Sequence, residues 1–150
     1  MMRYGRFIIF VSLVLSACSI DPLEVGSISV VIESTDLLVS PTVPGTFRVT
    51  ATNPTGVRVN WGEGSSSCQL TMYAISEAGV RQEVGARACT ADFGAQGLDG
   101  LQSRTEIIEW GGGAVVDGEV LQLPPGTYRL MGSAGDKGES ATIDVQLASL

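Results

Sequence analysis

Apolar and polar residues alternate in short segments along the chain from residue 27 onwards. In residues 46–52, Phe47, Val49 and Ala51 share one face and polar residues the other, as in a strand with one buried face. Similar segments occur at residues 27–33, 57–61, 68–75, 80–90, 104–110, 128–133 and 141–147. Nineteen glycines and recurring turn dipeptides separate them. The pattern predicts an all-β antiparallel sandwich of seven or eight strands in two sheets.

The connections between these segments give further expectations. Residues 53–56 (Asn-Pro-Thr-Gly) form a predicted turn, so we expect strands 46–52 and 57–61 to be close neighbours, with Val57, Val59 and Trp61 facing inward. Residues 37–39 are predicted to continue the first strand on another sheet edge. Residues 91–103 are predicted to be a loop, and residues 115–120 a small hairpin.

Two registers compete in the hairpin around residues 76–79. A two-residue turn at Ala78-Gly79 places Cys68 opposite Cys89, but Ala disfavours the positive φ that this turn requires. A type I turn with Gly79 as a bulge residue instead pairs Leu70 with Ala86 and Met72 with Val84, and it separates the cysteines. A one-residue bulge at Gly85 would reconcile both arrangements.

The N-terminus has the parts of a secretory signal peptide. Arg3 and Arg6 precede an uncharged run over residues 7–15, which is too short to span a bilayer. Residues 15–18 (Leu-Ser-Ala-Cys) resemble the lipobox of bacterial lipoproteins. The resemblance implies cleavage before Cys18 and lipidation of its side chain, with two or three acyl chains giving stable anchoring. We therefore predict a signal peptide over 1–17, a lipidated cysteine and tether over 18–26, and the sandwich over 27–150.

Export would place the other two cysteines in a compartment where disulfides form. Once Cys18 is lipidated, Cys68 and Cys89 are the remaining thiols, and they lie in an oxidising compartment. We predict a structural disulfide between them. In the chain-entropy model, closing a loop of this size stabilises the fold by about 3 kcal/mol.

The amino-acid composition of the chain excludes several classes of function. Residues 1–17 contain two of the nine basic residues and none of the sixteen acidic ones, so the mature chain has a formal charge of −9. Its arginines are scattered singly, which makes nucleic acid an unsuitable partner. The chain has no histidine, which excludes His-activated nucleophiles and His-ligated metals. We expect no cofactor, no metal and no enzymatic activity.

Several acidic and aromatic residues are candidates for catalysis or ligand binding. Glu106 and Glu109 resemble a glycosidase carboxylate pair, but in a strand they point to opposite faces, so we interpret them as solvent-facing charges. Calcium binding is a weaker alternative for Asp92 with Asp99 or for Asp117 with Glu119. Trp61 and Trp110 could stack on a sugar, although burial in the core is the favoured interpretation.

Residues 123–128 (Leu-Pro-Pro-Gly-Thr-Tyr) resemble the tyrosine corner of immunoglobulin-like sandwiches, in which Tyr128 would bond back to the preceding turn at the penultimate strand. Together with Asn53-Pro54 and the Gly-containing hairpin, this motif makes residues 47–147 similar to immunoglobulin-like domains of the BsuPI type of intracellular proteinase inhibitor. The resemblance implies the fold. That family is cytoplasmic and lacks a lipobox and a disulfide, so no inhibitory residue is transferred.

The leading functional hypothesis is a membrane-anchored envelope lipoprotein that binds or scaffolds another envelope protein. In a diderm bacterium the lipid anchor would attach it to the outer membrane, because Ser19 rather than Asp after the lipidated cysteine resembles the outer-membrane sorting pattern; otherwise it would lie on the outer face of the cytoplasmic membrane. A proteinase inhibitor and a carbohydrate-binding module are the alternatives.

Overall fold

The structure is a computed structural model that describes residues 27–85 and 87–149. The predicted signal peptide, Cys18 and the predicted tether lie outside the described residues. Within the described ranges, no helix is long and apolar enough to cross a membrane.

The described residues form twelve strands. In chain order these are β1 (Ser29–Glu33), β2 (Leu38–Val39), β3 (Gly45–Thr52), β4 (Val59–Gly64), β5 (Thr71–Ser76), β6 (Arg81–Val84), β7 (Gly94–Leu98), β8 (Ser103–Trp110), β9 (Gly113–Val116), β10 (Glu119–Gln122), β11 (Gly126–Ser133) and β12 (Ile143–Leu147).

The strands are arranged in three sheets. A three-stranded sheet has the order β1-β3-β8, a seven-stranded sheet has the order β10-β9-β6-β5-β11-β12-β2, and β4 pairs with β7 in a two-stranded sheet. Every pairing is antiparallel except that of β12 with β2. The predicted all-β class is confirmed, and the antiparallel sheets fit the predicted sandwich. The expected count of seven or eight strands in two sheets is too low, because short strands such as β2 and β10 add to the edges of the larger sheet and β4 pairs with β7 in a third sheet.

The core lies between the three-stranded and seven-stranded sheets. Phe47 and Val49 on β3, with Ile108 and Trp110 on β8, are at most 2% exposed. The other sheet contributes Met72, Leu130, Val145 and Leu147, which are equally buried. The Trp110 ring meets the Phe47 and Tyr128 rings edge to face, with centroids 6.3 and 5.9 Å apart. The alternation of strands 46–52 and 104–110 thus predicts their buried faces correctly.

Strands 46–52 and 57–61, which were expected to be close neighbours, lie in different sheets. β3 pairs with β1 and β8, whereas β4 pairs with β7. The cause is the fully buried side chain of Asn53, whose Nδ2 donates to Val57 O at 2.8 Å and to Leu98 O at 3.0 Å. These bonds hold the connection as a corner that carries the chain into another sheet. Val57 is consequently exposed, although Val59 and Trp61 face inward as predicted.

The expectation of a loop over residues 91–103 is wrong for its central part, where β7 forms. Two of the five residues of β7 are glycines, which are normally depleted in strands. At Gly97, a Cβ would lie 2.5 Å from Val59 O, so only glycine allows β4 to approach this closely. Tertiary contact therefore overrides the low strand propensity of this segment.

The hairpin of β5 and β6 adopts the register with a bulge at Gly79. Met72 lies opposite Val84, and the Gly79 N–H donates to Ser76 O at 2.8 Å. Gly85 has a φ of +76° directly after β6, at the position predicted for a second bulge. Cys68 and Cys89 lie beyond the ladder and are joined by a disulfide, with their Cα atoms 5.7 Å apart. The predicted pair of Leu70 with Ala86 lies outside the described residues, because Ala86 does.

Two later expectations concern residues 115–133. The predicted small hairpin is present as β9 and β10, connected through Asp117 and Gly118. Tyr128 enters the penultimate strand, β11, and its hydroxyl donates to Pro124 O at 2.8 Å, which is the backward hydrogen bond expected of a tyrosine corner. Burial raises the pKa of Tyr128 above its ordinary value.

Replacing Tyr128 with Phe is expected to lower the free energy of unfolding by about 1 kcal/mol, because one partly buried hydrogen bond is lost while the ring remains. Urea denaturation of the purified protein measures this change. Tyr73→Phe is the control, since no hydrogen bond of the Tyr73 hydroxyl is found within the described ranges. Equal midpoints for the two variants would contradict a structural role for the Tyr128–Pro124 bond.

Candidate functional site

The inward face of β8 carries a carboxylate among its apolar side chains. Glu106 precedes Ile108 and Trp110 on this face and is only 7% exposed. Its Oε1 accepts from the Gln69 N–H at 2.9 Å, and its Oε2 accepts from the Leu70 N–H at 3.3 Å. The carboxylate therefore holds the chain just before β5 against β8.

Two arginines complete the coordination of this carboxylate. Arg104 Nε lies 2.6 Å from Glu106 Oε1, and Arg87 Nη1 lies 2.5 Å from Oε2. The same guanidinium groups also donate to backbone carbonyls, Arg104 to Ser66 O at 2.8 Å and Arg87 to Leu70 O. We call Glu106, Arg87 and Arg104 the Glu106 cluster. Its three charges sum to +1 in a chain whose overall formal charge is −7.

The pKa of Glu106 lies below its ordinary value despite its burial. Desolvation is the largest single influence and would raise the pKa, but it is outweighed by the Gln69 N–H and by Arg104 and Arg87. The group is thus a carboxylate at neutral pH with its acceptor sites engaged by the protein. This arrangement favours a structural role over proton transfer.

The disulfide lies beside the Glu106 cluster and fastens the same two segments. Next to Cys68, Ser67 Oγ accepts from the Thr90 N–H at 2.9 Å. The Gln96 side chain on β7 donates to Cys68 O at 2.9 Å. Residues 66–70 and 87–90 are therefore held to each other covalently and by hydrogen bonds, and the Glu106 cluster holds both to β8.

A surface recess of about 590 Å³ lies between β8 and these two segments. On the β8 side it is lined by Arg104, Thr105, Ile107 and Glu109, and on the other side by Cys68 and Arg87. We call this recess the β8 groove. The guanidinium groups of Arg87 and Arg104 lie at one part of it with side chains 20% and 30% exposed, so positive charge is accessible there.

β8 is an edge strand of its sheet, and alternate residues direct their backbone polar groups away from β3. The Asn53 N–H donates to Gln102 O at 2.9 Å, in line with the register of the β3–β8 ladder. By the alternation of antiparallel ladders, residues 104, 106, 108 and 110 bond to β3, whereas residues 103, 105, 107 and 109 direct their N–H and C=O groups away from it. Thr46, which lies opposite Glu109, fits this alternation. Its N–H donates to the Asp36 side chain and its C=O accepts from the Ser34 hydroxyl, so both groups point toward β1 and away from β8.

The structure separates the predicted carboxylate pair and corrects one of its members. Glu109 is exposed, as predicted, and lies on the face opposite Glu106. Glu106, interpreted from the sequence as solvent-facing, is instead buried in the cluster. The interpretation was wrong because strand alternation gives the two faces of β8 but does not identify cationic partners elsewhere in the chain.

The remaining candidate residues are placed as follows. Trp110 is 2% exposed and Trp61 9%, and their indole N–H groups donate to Gly113 O and Gln69 O. Their faces are thus used in packing.

Asp99 pairs with Arg58 at 2.8 Å, and Asp92 accepts from Thr90. Across residues 27–85 and 87–149, no group of three or more acidic or cysteine side chains converges in a way that could hold a metal ion.

Sequence reasoning overlooked both arginines of the cluster. Arg104 and Glu106 are two residues apart in a strand, so they share a face, and this spacing is a signal that could have indicated their ion pair. Arg87 lies in the segment after Gly85, and nothing in its neighbours points to β8.

Comparisons with known proteins give no family for the chain. No protein-family model matches it, and no curated protein matches it. Among solved structures, a β-glucosidase from Listeria innocua in complex with glucose aligns over 80% of this chain at 14% identity, with a TM-score of 0.47. A β-glucosidase from Erythrobacter marinus aligns over 81% at 14% identity, with a TM-score of 0.48. The chain spans only 16% and 15% of those proteins, and at these TM-scores the likeness carries no argument.

Glu106→Gln is expected to lower the free energy of unfolding by roughly 2–4 kcal/mol, because two partly buried arginines lose their counter-charge. Urea denaturation at pH 7 measures the loss. Glu109→Gln is the matched control on the same strand, since Glu109 is exposed and forms no ion pair within the described part of the chain. Similar losses in both variants would show that Glu106 has no special structural role.

The stabilisation from Glu106 is expected to depend on pH. Because the folded-state pKa is lowered, this stabilisation is fully present above the unfolded-state value near 4.5 and is lost as the pH falls through the folded-state value. The difference in unfolding free energy between the wild type and Glu106→Gln should therefore shrink from pH 5 to pH 3. Denaturation curves at half-unit pH steps measure it, and a difference that does not change with pH would contradict the lowered pKa.

Proposed function

We propose that this protein is a lipid-anchored module of the cell envelope that binds or scaffolds another envelope protein and does not catalyse a reaction. The anchoring part of the proposal rests on the basic start, the short apolar run and the lipobox-like residues ending at Cys18. A mature charge of −9 suits a domain that stands off an anionic membrane surface on a tether.

The disulfide supports an extracytoplasmic location. Cys68 and Cys89 are bonded to each other, and structural disulfides persist in oxidising compartments. The predicted address is the outer membrane in a diderm bacterium and the outer face of the cytoplasmic membrane otherwise.

The observation that carries the binding role is the braced groove beside β8, the edge strand of its sheet. The polar groups of the Glu106 cluster are engaged in structural hydrogen bonds and fix the groove's walls in place. A recess with fixed walls and partly exposed arginine side chains is suited to recognition, because little conformational entropy is lost when a partner binds.

Cys18→Ser is expected to release the protein from the membrane fraction and to abolish incorporation of radiolabelled palmitate. Cell fractionation and autoradiography measure the two effects, and the control is Ser27→Ala, which lies outside both the lipobox-like residues and the disulfide. A Cys18→Ser protein that stays membrane-bound and labelled would overturn the anchoring proposal.

The binding part is tested in the same cells by photo-crosslinking. A benzoylphenylalanine residue introduced separately at exposed apolar positions is expected to yield a discrete adduct with a protein neighbour at one or more of them; suitable positions are Val31, Val43, Phe93 and Val120. Failure to form an adduct at any position would count against a scaffolding role.

A further inference from the structure

The described chain begins at one end of the three-stranded sheet. Thr52, at the end of β3, lies opposite both Ser29 on β1 and Ser103 on β8. β1 is therefore two strand spacings, about 10 Å, from the loop that precedes β8. Residues 18–26 precede Ser27, and nine residues span at most about 30 Å when fully extended. Under the proposed anchoring through Cys18, this end of the sandwich lies close to the membrane.

Two loops at this end present apolar side chains to solvent. The loops are residues 55–57 and residues 99–101. They pack closely against each other, because a Cβ on Gly100 would lie only 2.8 Å from Val57 N. Val57 is 59% exposed and Leu101 is 75% exposed. We call these two loops together the Leu101 tip.

The backbone conformation of Leu101 is unsuited to leucine. Leu101 is the third residue of a turn in which the Gln102 N–H donates to Asp99 O at 3.2 Å, and its φ is +61°. A positive φ at this turn position favours glycine or asparagine, and it strains a bulky side chain. Asp117, the other non-glycine residue with a positive φ in the described ranges, is of a type that tolerates it. Leu101 therefore combines a strained backbone with an exposed apolar side chain, and neither benefits the fold.

The charged groups at this end are balanced. The mature chain has a formal charge of −9, which opposes its approach to anionic lipid heads. At the Leu101 tip, Arg58 pairs with Asp99 at 2.8 Å. Beside the chain start, the Ile28 N–H donates to Lys137 O, and the Lys137 side chain pairs with Asp136 at 2.9 Å. These pairs remove the net repulsion locally, where the chain start is closest to the membrane.

We propose that the Leu101 tip inserts the side chains of Leu101 and Val57 into the interfacial layer of the membrane that carries the lipid anchor. Two side chains bury too little apolar surface to hold a free protein at a bilayer. The anchor compensates for this, because a short tether makes the contact intramolecular and raises the effective concentration of the lipid surface. The contact would orient the domain with its other end away from the membrane. This inference rests on the proposed anchoring.

The test uses the full lipidated chain in vesicles of phosphatidylcholine and phosphatidylethanolamine that contain a doxyl-labelled lipid quencher. An NBD fluorophore is attached through Gly56→Cys, where a Cβ meets open space. With Cys18 lipidated and Cys68 bonded to Cys89, the introduced thiol is the one that reacts. Val43→Cys carries the same fluorophore in a control protein, because Val43 is exposed and lies just before β3, at the opposite end of that strand.

The fluorophore at Gly56→Cys is expected to be quenched, whereas the fluorophore at Val43→Cys is not. Adding Leu101→Asn should lower the equilibrium constant for the membrane contact about tenfold, since one leucine side chain leaves the lipid. Leu101→Met is the matched control and should keep the contact, because it remains apolar. Adding Cys18→Ser should abolish the quenching, because the tether then no longer concentrates the tip at the lipid.

Urea denaturation of the same variants separates membrane contact from a structural role. Leu101→Asn is expected to raise the urea midpoint, because asparagine tolerates the positive φ. Leu101→Met should leave the midpoint near that of the wild type. A lower midpoint for Leu101→Asn would show that Leu101 stabilises the fold, and it would overturn the inference.

The remaining outcomes distinguish this inference from the anchoring on which it rests. Protein that floats with the vesicles but is not quenched at Gly56→Cys, or is quenched equally with Leu101→Asn, would overturn the inference and leave the anchoring intact. Protein that does not float with the vesicles would overturn the anchoring itself. A photo-crosslink from position 101 to a protein in cells, without lipid quenching, would assign the tip to a protein partner and overturn the lipid contact.

Discussion

The carboxylate of Glu106 links parts of the chain that are distant in sequence. It lies on β8 together with its partner Arg104, and its other bonding partners come from the segment before β5 and from the segment after β6. A carboxylate at a buried face is stable only when its lost hydration is replaced, and here two backbone N–H groups and two guanidinium groups replace it. Each of these bonds therefore fixes the position of a chain segment as well as the charge.

The disulfide and the Glu106 cluster constrain the same region in different ways. The bond between Cys68 and Cys89 limits how far the two segments can separate, and the cluster determines where they lie relative to β8. Their combination braces the recess beside β8.

Features of the fold that depend on residues close in sequence were predicted, whereas features that depend on distant residues were missed. The buried faces of β3 and β8 followed from period-two alternation, since each residue's face depends only on its own strand. The register of the β5–β6 hairpin was one of two that turn chemistry allowed at Gly79. β7 was missed because a strand with glycine at two of five positions forms only where β4 approaches it closely. The pairing of β4 was mispredicted because Asn53 redirects the chain through bonds to residues more than forty positions away.

The sequence by itself determined the all-β class, the main alternating strands and the turn sites, because these depend on local spacing and backbone preference. It also carries the N-terminal pattern from which anchoring is predicted. The tertiary structure alone decided the role of Glu106, the sheet to which β4 belongs and the recess beside β8. The reason is physical: a charge in a strand is favourable or costly according to what surrounds it, and the Arg87 beside Glu106 is brought there by long-range folding.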